Sequence, residues 1–318
     1  MSITVREVEP KEIPIFYDVA ERCDSIFCSE TFAGSFGHSL LKFGIFDSRN
    51  ILIGGFVALK SKLRGISAII DPSYAPHCGL FLLSPEQIGF KKNQFIKDIM
   101  LAVTTCLQNR REKILSLSFP PEFKDFQIPS WKGFDVRTKY TYRLSLEDKS
   151  SDLFEKYDPK LRSSIQKYIQ KEVVLDYNVT IKELIDKVRQ LEKDRNVRKK
   201  EDFLSSIITR YLSGEKKEFL TCKLIHDEQI ANVTFCIHGH TACYYLVGAL
   251  DKNVKAKNAG AICLHDSIVR AQEKGIKVFD FEGSSIPAIE SFFRSFGGEL
   301  THYFNIRKCP PILKRFLK

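Results

Sequence analysis

The stretch EFLTCKLIHDEQIANVTFCIHGHTACYYLVGAL, residues 218–250, decides the reading of the fold. Three runs rich in β-branched and aromatic residues, 218–225, 229–237 and 242–250, are separated by the polar turns HDE and HGHT. That pattern predicts an antiparallel meander. Downstream, apolar spacing predicts a helix over 259–274 stopped by Gly275, a strand over 276–281 and a short helix over 288–296. Gly297 and Gly298 then lead into a last strand over 300–306. Upstream lie two helices with one apolar face each: Ile181, Leu184, Ile185, Val188 and Leu191 on the first, Phe203, Leu204, Ile207, Ile208 and Tyr211 on the second. Before them runs a basic helix, 153–170, re-started at Pro159.

The first half shows the same order. An amphipathic stretch over 11–27 precedes strand-like runs at 41–46, 51–59, 65–70 and 79–83. A helix over 93–109 follows, with Phe95, Ile96, Ile99, Met100, Val103 and Leu107 as its buried face, then strands at 114–119 and 140–146. Helix, meander, long helix, strand and final strand occur twice, which suggests a duplicated unit. The expected fold is therefore α+β, a tandem pair with mixed, mostly antiparallel sheets flanked by helices. The polar stretch EDKSSD places the boundary near Lys149, giving domains 1–149 and 150–318.

Composition agrees with two globular domains. A chain of 318 residues exceeds what one core usually serves, and 43% hydrophobic with 28% charged residues is ordinary for a folded protein. No apolar run reaches the length of a membrane span and the start lacks a signal-peptide core, so a cytoplasmic location is expected. The nine cysteines are scattered and mostly flanked by apolar residues, as reduced, buried thiols are. Cys236, His238, His240 and Cys243 lie close in sequence, but strand alternation and the missing C-x-x-C spacing argue against zinc, and no metal is expected. The net charge of +10 divides unevenly: residues 1–150 hold 20 Lys+Arg against 17 Asp+Glu, residues 151–318 hold 29 against 22. A positive second half suits an acidic substrate.

Two segments carry a family resemblance. VFDFEGSSIPAIESFFRSFGGELTHYFNIRK, residues 278–308, joins an Asp-Phe-x-Gly-Ser turn, a helix with Phe-Phe-Arg, a Phe-Gly-Gly and a strand. YDPKLRSSIQKYIQK, residues 157–171, has a Pro-Lys-x-Arg-x-x-Ile-x-Lys helix. Both resemble the FemAB-like acyltransferases of the N-acetyltransferase (GNAT) superfamily. The resemblance implies tandem acetyltransferase folds that move acetyl, other acyl or aminoacyl groups to an amine. The donor would be acyl-coenzyme A or, in the peptidoglycan-bridge enzymes, aminoacyl-tRNA with a cell-wall precursor as acceptor. The long charged helical hairpin of the latter is not seen, so tRNA is the less favoured partner. A non-catalytic module of this fold is the third alternative.

By the same resemblance the donor pyrophosphate would sit where the fourth strand of the domain meets its long helix, on unpaired amides. Lys257-Asn258-Ala259-Gly260-Ala261-Ile262 keeps the cation and glycine of the Arg/Gln-x-x-Gly-x-Gly/Ala pattern but ends in Ile262. Lys255, Lys257, Asn258, Ala259 and Gly260 are thus the donor-binding candidates, joined by Ser284 in the turn at 282–285; a plain helix start and an N-cap serine are the bland alternatives. Arg294 fills the motif's cationic position, where it would stabilise an oxyanion. A surface arginine would look the same. Asp280, Glu282 and Tyr303 are the candidates to take the amine proton, although a strand-end carboxylate often only accepts structural hydrogen bonds. The cations Lys160, Arg162, Lys167 and Lys171 and the run 193–200 read as solvated helix faces, since no aromatics interleave them for stacking on bases.

Overall fold

In a computed structural model, residues 3–83, 88–147, 150–169, 174–194, 203–283 and 286–310 are described. In chain order the elements are β1 (Thr4–Glu7), α1 (Ile13–Arg22), α2 (Glu30–Gly34), β2 (Leu40–Phe46), β3 (Leu52–Leu63), β4 (Ile66–Ile70), β5 (Phe81–Leu82), α3 (Gly89–Gln108), β6 (Ile114–Ser118), α4 (Gln127–Trp131) and β7 (Asp135–Ser145). There follow α5 (Ser150–Glu155), α6 (Pro159–Ile169), β8 (Val174–Asp176), α7 (Ile181–Asp194), α8 (Phe203–Ser213), β9 (Phe219–His226), β10 (Gln229–His238), β11 (Ala242–Leu250), α9 (Ala259–Glu273), β12 (Val278–Asp280), α10 (Pro287–Arg294) and β13 (Glu299–Lys308).

The chain forms two compact units. The first comprises Met1–Lys139 with His302–Lys318, the second Tyr140–Thr301. In the first, β2, β3 and β4 form an antiparallel meander, α3 crosses over, and β6 returns parallel to β4. In the second, β9, β10 and β11 form the meander, α9 crosses over, and β12 returns parallel to β11. The expected duplication is thus present element by element, as is the α+β class with mixed sheets.

The division differs from the expected 1–149 and 150–318, and strand pairing is the reason. Arg143, Leu144 and Ser145 of β7 pair with Asp280, Phe279 and Val278, so this strand joins the second sheet before the polar stretch is reached. Asn305–Lys308 pairs with Leu115–Ser118 of β6, and Ile306 is buried in the first core with Leu115 and Leu117. Each unit therefore takes its last strand from the other half of the sequence. The predicted strand at 276–281 is also shorter, reduced to β12.

Periodicity explains the cores. On α3 the buried residues Phe95, Ile99, Met100, Val103 and Leu107 recur at helical spacing and pack with Phe43, Phe56 and Ile69 of the sheet. Each such side chain contributes about 1.5–3 kcal/mol when fully buried. β10 is buried almost throughout because α9 covers the sheet with Ala261, Leu264 and Ile268, while Tyr211 of α8 meets Phe235 with ring centroids 6.1 Å apart. Asp158 caps α6, accepting from the amides of Lys160 and Leu161 at 2.9 and 3.2 Å, and Pro159 takes the first helical position.

Candidate active site

The site is built where β11 and β12 part. Their parallel register covers only Ala242–Tyr244 against Val278–Asp280. Beyond it β11 continues to Leu250, whereas Glu282 and Gly283 adopt left-handed φ of 59° and 68° and turn the chain away. A bulge bends β11 as well: Phe235 pairs with Val247 and Cys236 with Tyr245, leaving Leu246 unpaired. Past the last paired residues stands an aromatic wall. The Phe293 ring of α10 lies 5.9 Å from Tyr245 and 5.5 Å from Phe281. The Tyr245 phenol crosses Gly248, where a Cβ would come within 1.7 Å of its oxygen, so any side chain there would displace the phenol.

At the far end of β11 begins α9. Asn258 is its N-cap with a left-handed φ of 61° and makes no side-chain cap. The first-turn amides of Ala259, Gly260 and Ala261 have no intrahelical acceptor, and the helix dipole adds positive potential there. Gly260 abuts Asn232, whose Oδ1 would be 3.6 Å from an added Cβ, an ordinary contact. The protein itself does not require glycine at this position. Lys255 and Lys257 are exposed and make no bond to another described residue, and the loop before them is anchored by the Lys187–Asp251 pair at 2.5 Å. First-turn amides without a side-chain cap, a missing side chain and two ammonium groups bonded to no other described residue fit a pyrophosphate. The donor candidates Lys255, Lys257, Asn258, Ala259 and Gly260 thus fall together.

The proton-acceptor candidates part company. Asp280 is buried and committed: it accepts from Thr141 Oγ1 at 2.6 Å and from the Glu282 amide at 2.8 Å, and it lies 3.5 Å from Arg143 Nε. Glu282 is different. Its Oε1 is buried with no hydrogen-bond partner among the described residues, and burial, with Asp280 and Cys236 nearby, pushes its carboxyl well above the usual carboxylate range. A buried carboxylate oxygen held in a left-handed turn is costly to keep. Tyr303 belongs to the first unit, where Lys139 Nζ stands 6.0 Å from its ring centroid. Ser284 lies outside the described residues.

Arg294 ends α10, well exposed, with Nε 3.1 Å from Glu290 Oε1, an oxygen that also accepts from Tyr142 at 2.6 Å. Its charge is therefore shared. The motif glycines prove architectural. A Cβ on Gly283 would lie 2.0 Å from the Tyr140 carbonyl, and on Gly297, φ 72°, 2.3 Å from the Lys156 carbonyl. Through Gly297 the two motif segments meet: the Asp158 amide donates to the Ser295 carbonyl at 2.8 Å, and Tyr157 packs on Phe296 at 5.1 Å. Among the basic residues of the first motif, Arg162 pairs with Glu155, whereas Lys171 and the run 195–200 lie outside the described residues.

In the first unit the equivalent opening, between β4 and β6, is closed by its own chain, which spacing did not reveal. Just past their register Asp71 bridges to Ser118, accepting from its amide at 2.7 Å and its hydroxyl at 2.6 Å. The Cys78 amide donates to the Ser118 carbonyl at 2.9 Å, while the Cys78 carbonyl accepts from Val57 at 3.0 Å. A backbone segment thus lies against the end of this strand pair.

Residues 158–291 match the family model of the acetyltransferase (GNAT) domain. No curated protein sequence matches the chain. Among solved structures, FemX is similar over 99% of this chain and 100% of its own, with TM-score 0.68 and 8% identity. L-PGS from Bacillus licheniformis covers 98% and 96%, with TM-score 0.57 and 12% identity. A tandem GNAT protein from the clavulanic acid biosynthesis pathway covers 97% and 99%, with TM-score 0.53 and 11% identity. At these identities the likeness speaks to the fold.

Proposed function

We propose, from the membership of residues 158–291 in the GNAT acetyltransferase domain family, that this transferase moves an acyl group from acyl-coenzyme A to an amine. The donor pyrophosphate rests on the amides of Ala259, Gly260 and Ala261, with Lys255 and Lys257 as counter-charges. The thioester lies in the opening between β11 and β12, where the Tyr245, Phe281 and Phe293 wall excludes water. Glu282 accepts the proton as the amine nitrogen bonds to the thioester carbonyl carbon; the tetrahedral intermediate then expels the thiolate. Burial raises its proton affinity, which makes its carboxylate a stronger base than a solvated one. Arg294 stabilises the developing oxyanion only once released from Glu290, so its share is the smaller.

The single observation behind this reading is the buried Oε1 of Glu282, unpaired among the described residues, just past the end of a parallel strand pair. Release of free thiol from acetyl-coenzyme A in the presence of a panel of primary amines tests it. Turnover that depends on both amine and Glu282 supports the proposal; its absence with every acyl donor contradicts it.

A second reading, aminoacyl-tRNA as donor and a peptidoglycan precursor as acceptor, draws on the positive surplus of residues 151–318. It requires salt-sensitive tRNA binding whose slope falls when the cations at 193–200 are neutralised.

A further inference from the structure

Ile88 and Phe90 are the most exposed large hydrophobic side chains among the described residues, at 86% and 80%. They flank the start of α3 in the first unit. Lys91 and Lys92 follow directly, exposed and bonded to no other described residue. About two turns further along the same face lies Lys97, whose Nζ is 5.3 Å from the ring centroid of Trp131, itself 70% exposed. The carboxylates near this face are engaged: Asp125 pairs with Lys97 at 3.3 Å and Asp98 accepts from Gln94 at 2.8 Å.

We infer that this end and face of α3 dock on an anionic lipid surface. Apolar side chains standing clear of the protein, bordered by unneutralised lysines and a tryptophan, match a bilayer's negative headgroups over hydrocarbon. Ile88 and Phe90 enter the acyl boundary, Lys91 and Lys92 meet the headgroups, and Trp131 sits at the interface. A peripheral contact is meant, since no helix among the described residues is long and apolar enough to cross a membrane.

The test uses the whole chain with sedimented vesicles of phosphatidylcholine, alone or with one third phosphatidylglycerol. Binding to the anionic vesicles should exceed binding to the neutral ones several-fold and weaken with salt. Because Trp131 is the chain's single tryptophan, its emission should move to shorter wavelength on binding. The double change Ile88→Ser with Phe90→Ser should reduce binding about tenfold or more. Lys91→Glu with Lys92→Glu should remove the preference for anionic vesicles. Both variants should melt like the parent. Failure of the parent to sediment with anionic vesicles would overturn the inference, as would undiminished binding by the serine variant. A dimer in solution that the serine variant dissociates, without vesicle binding, would assign the patch to a second copy instead.

Discussion

Glu282 combines a cost to the fold with a use in the reaction. Its folded carboxyl titrates above the ordinary value of 4.5, so the stability linked to its protonated form is present below that value and lost as pH rises through the raised one. Glu282→Gln should therefore melt higher than the parent at pH 8, with the gap closing towards pH 4.5, while acyl transfer falls by about 10²–10⁴. Equal activity in the variant would remove Glu282 from the reaction. His265 supplies the opposite sign. Burial holds its imidazole at about 4, with Tyr157 Oη 3.2 Å from Nδ1. Its neutral form stabilises the fold above pH 6.5, and that contribution is lost as pH falls towards 4. A melting series should show a loss of at most about 2 kcal/mol by pH 5 that His265→Gln largely removes. Glu282 was readable from the sequence only as one of three proton acceptors. What separates it from Asp280 is a bond from Thr141, 139 positions away, which no local pattern announces.

The helices and strands were readable because their faces are amphipathic: the meander β9, β10 and β11 and the helix α9 follow from alternation and helical spacing. The short elements β1, β8, α2 and α4 were not, since three to five residues carry too little periodicity. Glycines show how one residue type serves two ends. Gly297 is fixed by the approach of the Lys156 backbone, so Gly297→Ala should destabilise the protein by roughly 2–5 kcal/mol in chemical denaturation. Gly260 has no such neighbour. Gly260→Ala should leave stability unchanged or raise it by up to about 1 kcal/mol, because alanine is the better helix former. If both substitutions destabilise alike, the argument that Gly260 makes room for a ligand fails.

Chain order conceals how the two units share their strands. The repeat was visible, but a boundary drawn at a polar stretch assumes that each half keeps its own last strand, and pairing partners far apart in sequence leave no mark on composition. Residues 1–149 expressed alone should show no cooperative melting, because β6 would lack Asn305–Lys308 and the core would lack Ile306. A stable fragment 1–149 would contradict the exchange. The proposed chemistry is placed in the second unit because Asp71 and Cys78 bond across the end of the parallel strand pair in the first, whereas the register of β11 with β12 covers only three residues. Calorimetric titration of acetyl-coenzyme A into the parent and into Gly260→Leu tests this most directly. The account predicts one site per chain in the parent and, at an unaltered melting temperature, heat too weak to fit in the variant. Equal binding by both, or none by the parent, would contradict it.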